Sequence, residues 1–120
     1  MTRVTIDDPA RMNLLGLILA NIMERNMAGD PKVWRRFERL AADVVVRAGE
    51  MVVTLRFGEG SVLVKRGAEG RARAQVSGSL DALVDMALGG GMVGPVLAGR
   101  LKPKGSLLLL LKLKRLLRVN

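Results

Sequence analysis

A chain of 120 residues, 49% of them hydrophobic and 26% charged, can bury one core and is too apolar for disorder, so a single domain over 1–120 is expected. Cysteine and histidine are both absent, which removes disulfides, thiolate ligands, Cys nucleophiles, every Ser-His arrangement and the commonest general base and metal ligand. The net charge of +9 belongs to the second half: residues 1–60 hold nine Lys/Arg against eight Asp/Glu, and residues 61–120 hold eleven against three. Such an excess points to a polyanionic partner, either an anionic membrane surface or a nucleic acid.

Aromatic residues are scarce, with one Trp, two Phe and no Tyr against seven Met. The core must therefore be built from Leu, Val, Ala and Met, a lining that suits aliphatic ligands better than planar ones. The apolar run from Met12 to Ile22 falls well short of the roughly 20 residues of a membrane span, and Leu107 to Leu111 runs straight into Lys112. Asp7 and Asp8 stand where a secretory leader would be basic, so a cytoplasmic location is expected.

Asp8-Pro9 offers an N-cap and a first helical position, and Met12, Leu15, Leu19, Ile22 and Met23 then recur at helical spacing, predicting a helix over 9–28 closed by Gly29. Asp30-Pro31 restarts a shorter helix in which Val33, Trp34, Phe37 and Leu40 face inward. Composition then turns β-branched. Asp43 to Arg47, Met51 to Phe57, Ser61 to Arg66 and Arg73 to Ser77 read as four strands of an antiparallel meander, with Val53, Leu55 and Phe57 on one face and Val52, Thr54 and Arg56 on the other.

Beyond Ser77-Gly78, Ser79 can cap a helix with a stripe of Leu80, Leu83, Val84, Ala87 and Leu88, ended by Gly89, Gly90 and Gly91. Met92 to Gly99 reads as a further turn or a lid. Arg100 to Lys104 reads as an edge strand containing Pro103, and Ser106 as the cap of a terminal helix running from Leu107 to Val119. Leu111-Lys112-Leu113-Lys114 alternates as a strand would, but unbranched Leu and Lys with no Gly or Pro favour helix.

In this order the segments carry a resemblance. Ser77-Gly78-Ser79-Leu80-Asp81-Ala82-Leu83 and Gly99-Arg100-Leu101-Lys102-Pro103-Lys104-Gly105, followed by a leucine-rich helix, resemble the strand-to-helix entry, last strand and C-terminal helix of the sterol-carrier-protein-type (SCP-2 sterol transfer) lipid-binding domain. A bacterial stand-alone member is expected, and Arg118-Val119-Asn120 is no peroxisomal address. The resemblance covers residues 42–118 and implies an α+β fold: a mostly antiparallel five-stranded sheet covered by helices, enclosing a hydrophobic tunnel. It also implies non-catalytic binding and transfer of a lipid, whether fatty acid, acyl-CoA, phospholipid, isoprenoid quinone or sterol, with no cofactor. One alternative is an accessory scaffold that presents a lipid intermediate to partner enzymes, as in quinone synthesis; the other is a basic nucleic-acid-binding module.

The residues expected to touch ligand are Leu80, Leu83, Val84, Ala87, Met92, Val96, Leu97, Leu107, Leu108 and Leu111. The competing reading makes these leucines plain core. Lys112, Lys114, Arg115 and Arg118 are expected to dock transiently on anionic membrane. A protein partner or homodimer is compatible with the chain; nucleic acid is disfavoured by the missing stacking platform and the apolar content beside the charges. Gly89-Gly90-Gly91 follows a helix and lacks the Lys-Ser/Thr of a phosphate loop, so it reads as a cap and hinge. Asp81 and Asp85 lie one turn apart, but no third ligand accompanies them, and no metal is expected.

Overall fold

Alternation of apolar and polar residues in five segments of the chain sets up a sheet with one greasy face, and a sixth strand joins from the N-terminus. A computed structural model of the protein describes residues 4–29, 32, 35, 37–68, 70–87 and 101–116, with backbone alone at 84–87, 107 and 114–116. The strands are β1 (Val4–Ile6), β2 (Ala42–Ala48), β3 (Met51–Gly58), β4 (Ser61–Arg66), β5 (Ala74–Gly78) and β6 (Leu101–Gly105). The helices whose bounds fall among the described residues are α1 (Leu14–Gly29), α2 (Leu80–Ala87) and α3 (Leu107–Leu116), and Lys32 and Arg35 are helical as well.

The α+β fold class stands, with six strands among the described residues in place of five and a mixed sheet in the order β1-β4-β3-β2-β5-β6. Two pairings are parallel, β1 with β4 and β2 with β5. The meander holds from β2 through β4 and then breaks. Instead of pairing back onto β4, the chain crosses over β3 and β2, leaving β4 at Gly67 and reaching Arg73 beside β2. Hydrogen bonds to distant parts of the chain fasten the two ends of this crossover: Gly67 N–H donates to Val52 O at 2.8 Å, Thr54 Oγ1 to Gly67 O at 2.7 Å, and Arg73 N–H to Asp43 O at 2.8 Å.

One face of the sheet carries the core. Val44, Val46, Val53, Leu55, Val62, Val64, Val76 and Leu101 are each at most 2% exposed and form one cluster with Leu15, Leu19 and Met23 of α1 and Leu109, Leu110 and Leu113 of α3. Phe37 and Phe57 stack with ring centroids 5.6 Å apart within it. α1 lies against β1, β3 and β4, α3 lies against β5 and β6, and the two helices touch.

The expected first helix starts later than its sequence signal. Pro9–Arg11 is a separate 3-10 turn, Asp8 sits at φ 51° and makes no side-chain cap, and Met12 is extended. Asn13 is the true cap: its Oδ1 accepts from Gly16 N–H at 2.9 Å, and its side-chain amide donates to Val52 O at 3.2 Å. That restart sets Gly16 against the sheet, where a Cβ would run into the Met12 thioether and come within 3.3 Å of Val53 Cγ1. Of the expected second helix, Phe37 is buried and Leu40 half-buried; Val33 and Trp34 lie outside the described residues.

Candidate functional site

Two serine caps and one glycine position the helices that the sequence marks as the binding elements. Ser79 Oγ accepts from Ala82 N–H at 3.1 Å, and Ser79 O accepts from Leu83 N–H at 3.2 Å, which starts α2 directly from the end of β5. Ser106 does the same for α3, its Oγ accepting from Leu109 N–H at 3.2 Å and its carbonyl from Leu110 N–H at 3.2 Å.

The last residue of β6, just before that cap, is Gly105 at φ 81°, a left-handed conformation that an L side chain adopts at a cost. A Cβ there would sit 2.5 Å from Arg73 O and 3.1 Å from Ala74 Cα. Next to it Ser106 N–H donates to the same Arg73 carbonyl at 3.0 Å. The glycine thus lets the chain turn from strand to helix while pressed against the neighbouring strand, and the turn lays α3 back over β5 and β6. This is the physical need behind the last glycine of the Gly99 to Gly105 motif.

α3 is helical over Leu107–Leu116, so its alternating Leu-Lys stretch is no strand. Its leucines divide by direction. Leu109, Leu110 and Leu113 are 5%, 3% and 1% exposed and belong to the core, whereas Leu108 and Leu111 are 67% and 52% exposed. Lys112 is exposed, one turn beyond Leu108. Of the ten residues expected to touch ligand, Leu83 is buried at 7% exposure and Leu80 is half-buried against the same cluster. Val84, Ala87 and Leu107 lie in helices with only their backbone described, and Met92, Val96 and Leu97 fall outside the described residues. Among the docking residues, Lys114 and Arg115 are helical with only backbone described, and Arg118 falls outside.

The structure adds two residues the sequence reasoning passed over. Leu14 and Leu17, one turn apart on α1, are 56% and 43% exposed. The signal was present: Leu14 to Ile22 holds more aliphatic side chains than one helix stripe can bury. The helical side of the sheet therefore shows outward leucines on two helices that touch each other. No helix among the described residues is long and apolar enough to cross a membrane.

The opposite face of the sheet is different in kind. Val45 is 3% exposed yet stands apart from the core cluster, on the side the crossover covers. There Asp43 and Arg56, directly opposed on β2 and β3, form a bidentate pair, with Arg56 Nε to Asp43 Oδ1 at 3.1 Å and Nη2 to Oδ2 at 3.2 Å. A Cβ on Gly70 of the crossover would lie 3.2 Å from that carboxylate.

Comparison with known proteins fits this architecture. The model of the SCP-2 sterol transfer family matches residues 21–118, and the chain belongs to that lipid-binding family. Among solved structures it is similar to a UbiJ-SCP2 ubiquinone synthesis protein, with TM-score 0.67 and 18% identity over 89% of this chain and 93% of that one. It is similar also to the apo form of sterol carrier protein 2 from Yarrowia lipolytica, at TM-score 0.59 and 14% identity over 95% and 97% of the two chains. A sec-alkylsulfatase from Pseudomonas sp., Pisa1, shares the fold at TM-score 0.57 and 16% identity over 66% of this chain, which spans 13% of that longer one. At such identities the likeness to each structure is one of fold. No curated protein matches the chain.

Proposed function

We propose that this member of the SCP-2 sterol transfer family is a non-catalytic lipid-binding and lipid-transfer domain, working in the cytoplasm and holding an aliphatic chain on the helical side of its sheet. Family membership supports the ligand class. The observation that carries the reading is the distribution of leucine around α3: three leucines complete the core, and Leu108 and Leu111 point away from it. Single exposed leucines are ordinary. Paired ones on each of two touching helices gain from an acyl or prenyl chain, or from the acyl boundary of a membrane.

In this reading Leu80, Leu83, Val84 and Ala87 of α2, Met92, Val96 and Leu97 of the connection to β6, and Leu107, Leu108 and Leu111 of α3 line the ligand's path. Lys112, Lys114, Arg115 and Arg118 each add about 1 kcal/mol of attraction near an anionic surface, so docking is transient and salt-sensitive. Catalysis has no support in the residue inventory, since His, Cys and Tyr are absent. The likeness to the UbiJ-SCP2 ubiquinone synthesis protein favours one specific form of the reading, in which the lipid is an isoprenoid quinone intermediate presented to partner enzymes.

Native mass spectrometry of the purified chain tests the proposal. A copurifying lipid adduct, displaced by a fluorescent fatty acid or prenyl probe at micromolar concentration, is expected. A chain that carries no lipid and binds neither probe would refute it.

A further inference from the structure

Described basic residues lie on both sides of the sheet, and those on the side away from the helices form a surface of their own. Strand register puts Arg47, Ser77 and Lys102 in one row across β2, β5 and β6, and Val45, Gln75 and Lys104 in the next. With strands about 4.8 Å apart and two residues spanning about 6.8 Å, three cations fall within a rectangle of roughly 10 by 7 Å. Lys102 and Lys104 are exposed, and Arg47 is half-buried.

The crossover adds Arg71 and Arg73, both exposed, on the same side. Asp43 is the one acid among the strand residues of this face, and Arg56 already occupies both its oxygens. Among the described residues Arg47, Arg71, Arg73, Lys102 and Lys104 have no ion-pair partner. The crossover's one acid, Glu69, lies outside the described residues; even set against it, the five cations remain in excess, more than solubility asks for.

We propose that this face docks an acidic segment of a partner protein. Three features select that partner among polyanions. Among the described residues no aromatic side chain lies on the face, since Phe37 and Phe57 stack within the core, so a single-stranded nucleic acid finds no platform there for its bases. The crossover is fastened on top of β3 and β2, leaving Arg47, Lys102 and Lys104 on a step between it and the β6 edge. A flat membrane would meet the crossover first, whereas a chain of carboxylates can lie along the step. Pro103 lacks an N–H and sits opposite Val76 on the edge strand, which discourages backbone pairing there and leaves recognition to the side chains. The surface owes nothing to the lipid side: it would stand even if no lipid bound.

A fluorescent dodecaglutamate peptide, a DNA 20-mer and vesicles of phosphatidylglycerol mixed with phosphatidylcholine are the probes, each titrated against the full chain at about 50 mM and 150 mM salt. The variant R47E/K102E/K104E is compared with wild type, with the neutral R47Q/K102Q/K104Q in case reversal impairs folding, and with Lys112→Glu on the helical side. The expected result is at least a fivefold loss of peptide affinity in either triple variant, little change in Lys112→Glu, and vesicle binding that follows Lys112 instead. A smaller loss would overturn the proposal. So would an equal loss in Lys112→Glu, or a triple-variant defect larger for DNA or vesicles than for the peptide.

Discussion

Replacing neighbouring leucines of α3 one at a time separates what the helix does for the fold from what it does for ligand. Leu110 is 3% exposed and packed in the core, so Leu110→Ala removes buried methyl groups and leaves a cavity, at a cost of about 2–5 kcal/mol. Leu111 is 52% exposed. About half the burial worth of a leucine, roughly 1 kcal/mol, is then the most its truncation can remove, and alanine gives back a little in helix propensity. In a chain of this size 1 kcal/mol shifts Tm by about 4 °C, so Leu110→Ala should melt about 8 °C or more below wild type and Leu111→Ala within about 4 °C of it. The L108A/L111A double variant should keep most of its stability and lose binding to a fatty-acid or prenyl probe. Calorimetry and probe titration on the same samples decide the matter. Equal destabilisation by Leu110→Ala and Leu111→Ala would mean that α3 sits on the sheet in another rotation, and full probe affinity in the double variant would remove the outward leucines from any ligand role.

Gly105→Ala should cost about 2–4 kcal/mol in urea unfolding, since the left-handed φ of 81° and the Arg73 carbonyl 2.5 Å from the new Cβ both oppose it; a loss below about 1 kcal/mol would contradict the close approach of β6 to β5. Asp43→Asn should cost about 1 kcal/mol, a modest figure because the Arg56 side chain is 40% exposed to screening solvent, and a loss that does not shrink in high salt would show that packing, not charge, is the cause. Reversing Lys112, Lys114, Arg115 and Arg118 to Glu should weaken flotation with anionic vesicles, with a smaller difference at high salt, and leave lipid-probe affinity nearly intact; equal flotation of the two proteins would count against docking through α3.

What the sequence disclosed follows from local chemistry. Strands β2, β3 and β4 were legible to within a residue because alternation and the Gly-containing turns after Ala48 and Phe57 are local signals. The caps at Ser79 and Ser106 were legible for the same reason, and both make the hydrogen bonds expected of them. The place of β5 was not, because nothing in residues 67–73 states whether the chain turns back or crosses over. That choice is made by Thr54, Val52 and Asp43, which lie elsewhere in the sequence and hold the crossover down. β1 was missed for a related reason: three residues, Val4–Ile6, carry no periodicity, and their pairing with β4 is a tertiary fact. In α1 the helical spacing was read, but Asp8-Pro9 was a stronger textual signal than Asn13, and only the contact of Asn13 with Val52 O shows which cap the sheet selects.

The charge of the second half shows how neighbours in sequence can serve opposite surfaces. Lys102 and Lys104 precede Lys112 by ten and eight residues, and read along the chain they make one basic tail. In β6 the two-residue period sends Leu101 into the core and Lys102 and Lys104 to the far face. Gly105 then reverses the chain, so that α3 packs on the near face and shows Lys112 beyond the core leucines. A sheet of apolar and buried side chains now separates the two groups of cations. Screening through the intervening core is weak, but the groups meet solvent on opposite sides, so a ligand that neutralises one has no steric reason to exclude a ligand at the other. Where the proposed lipid site and the proposed acidic-partner site both hold, a domain so arranged would engage a lipid or a membrane at its helices and an acidic protein at its sheet in the same moment, as presentation of a lipid to a partner would require. Simultaneous binding is thus the expected outcome when vesicle-bound protein is offered the dodecaglutamate peptide, and competition between the two would place both on one surface.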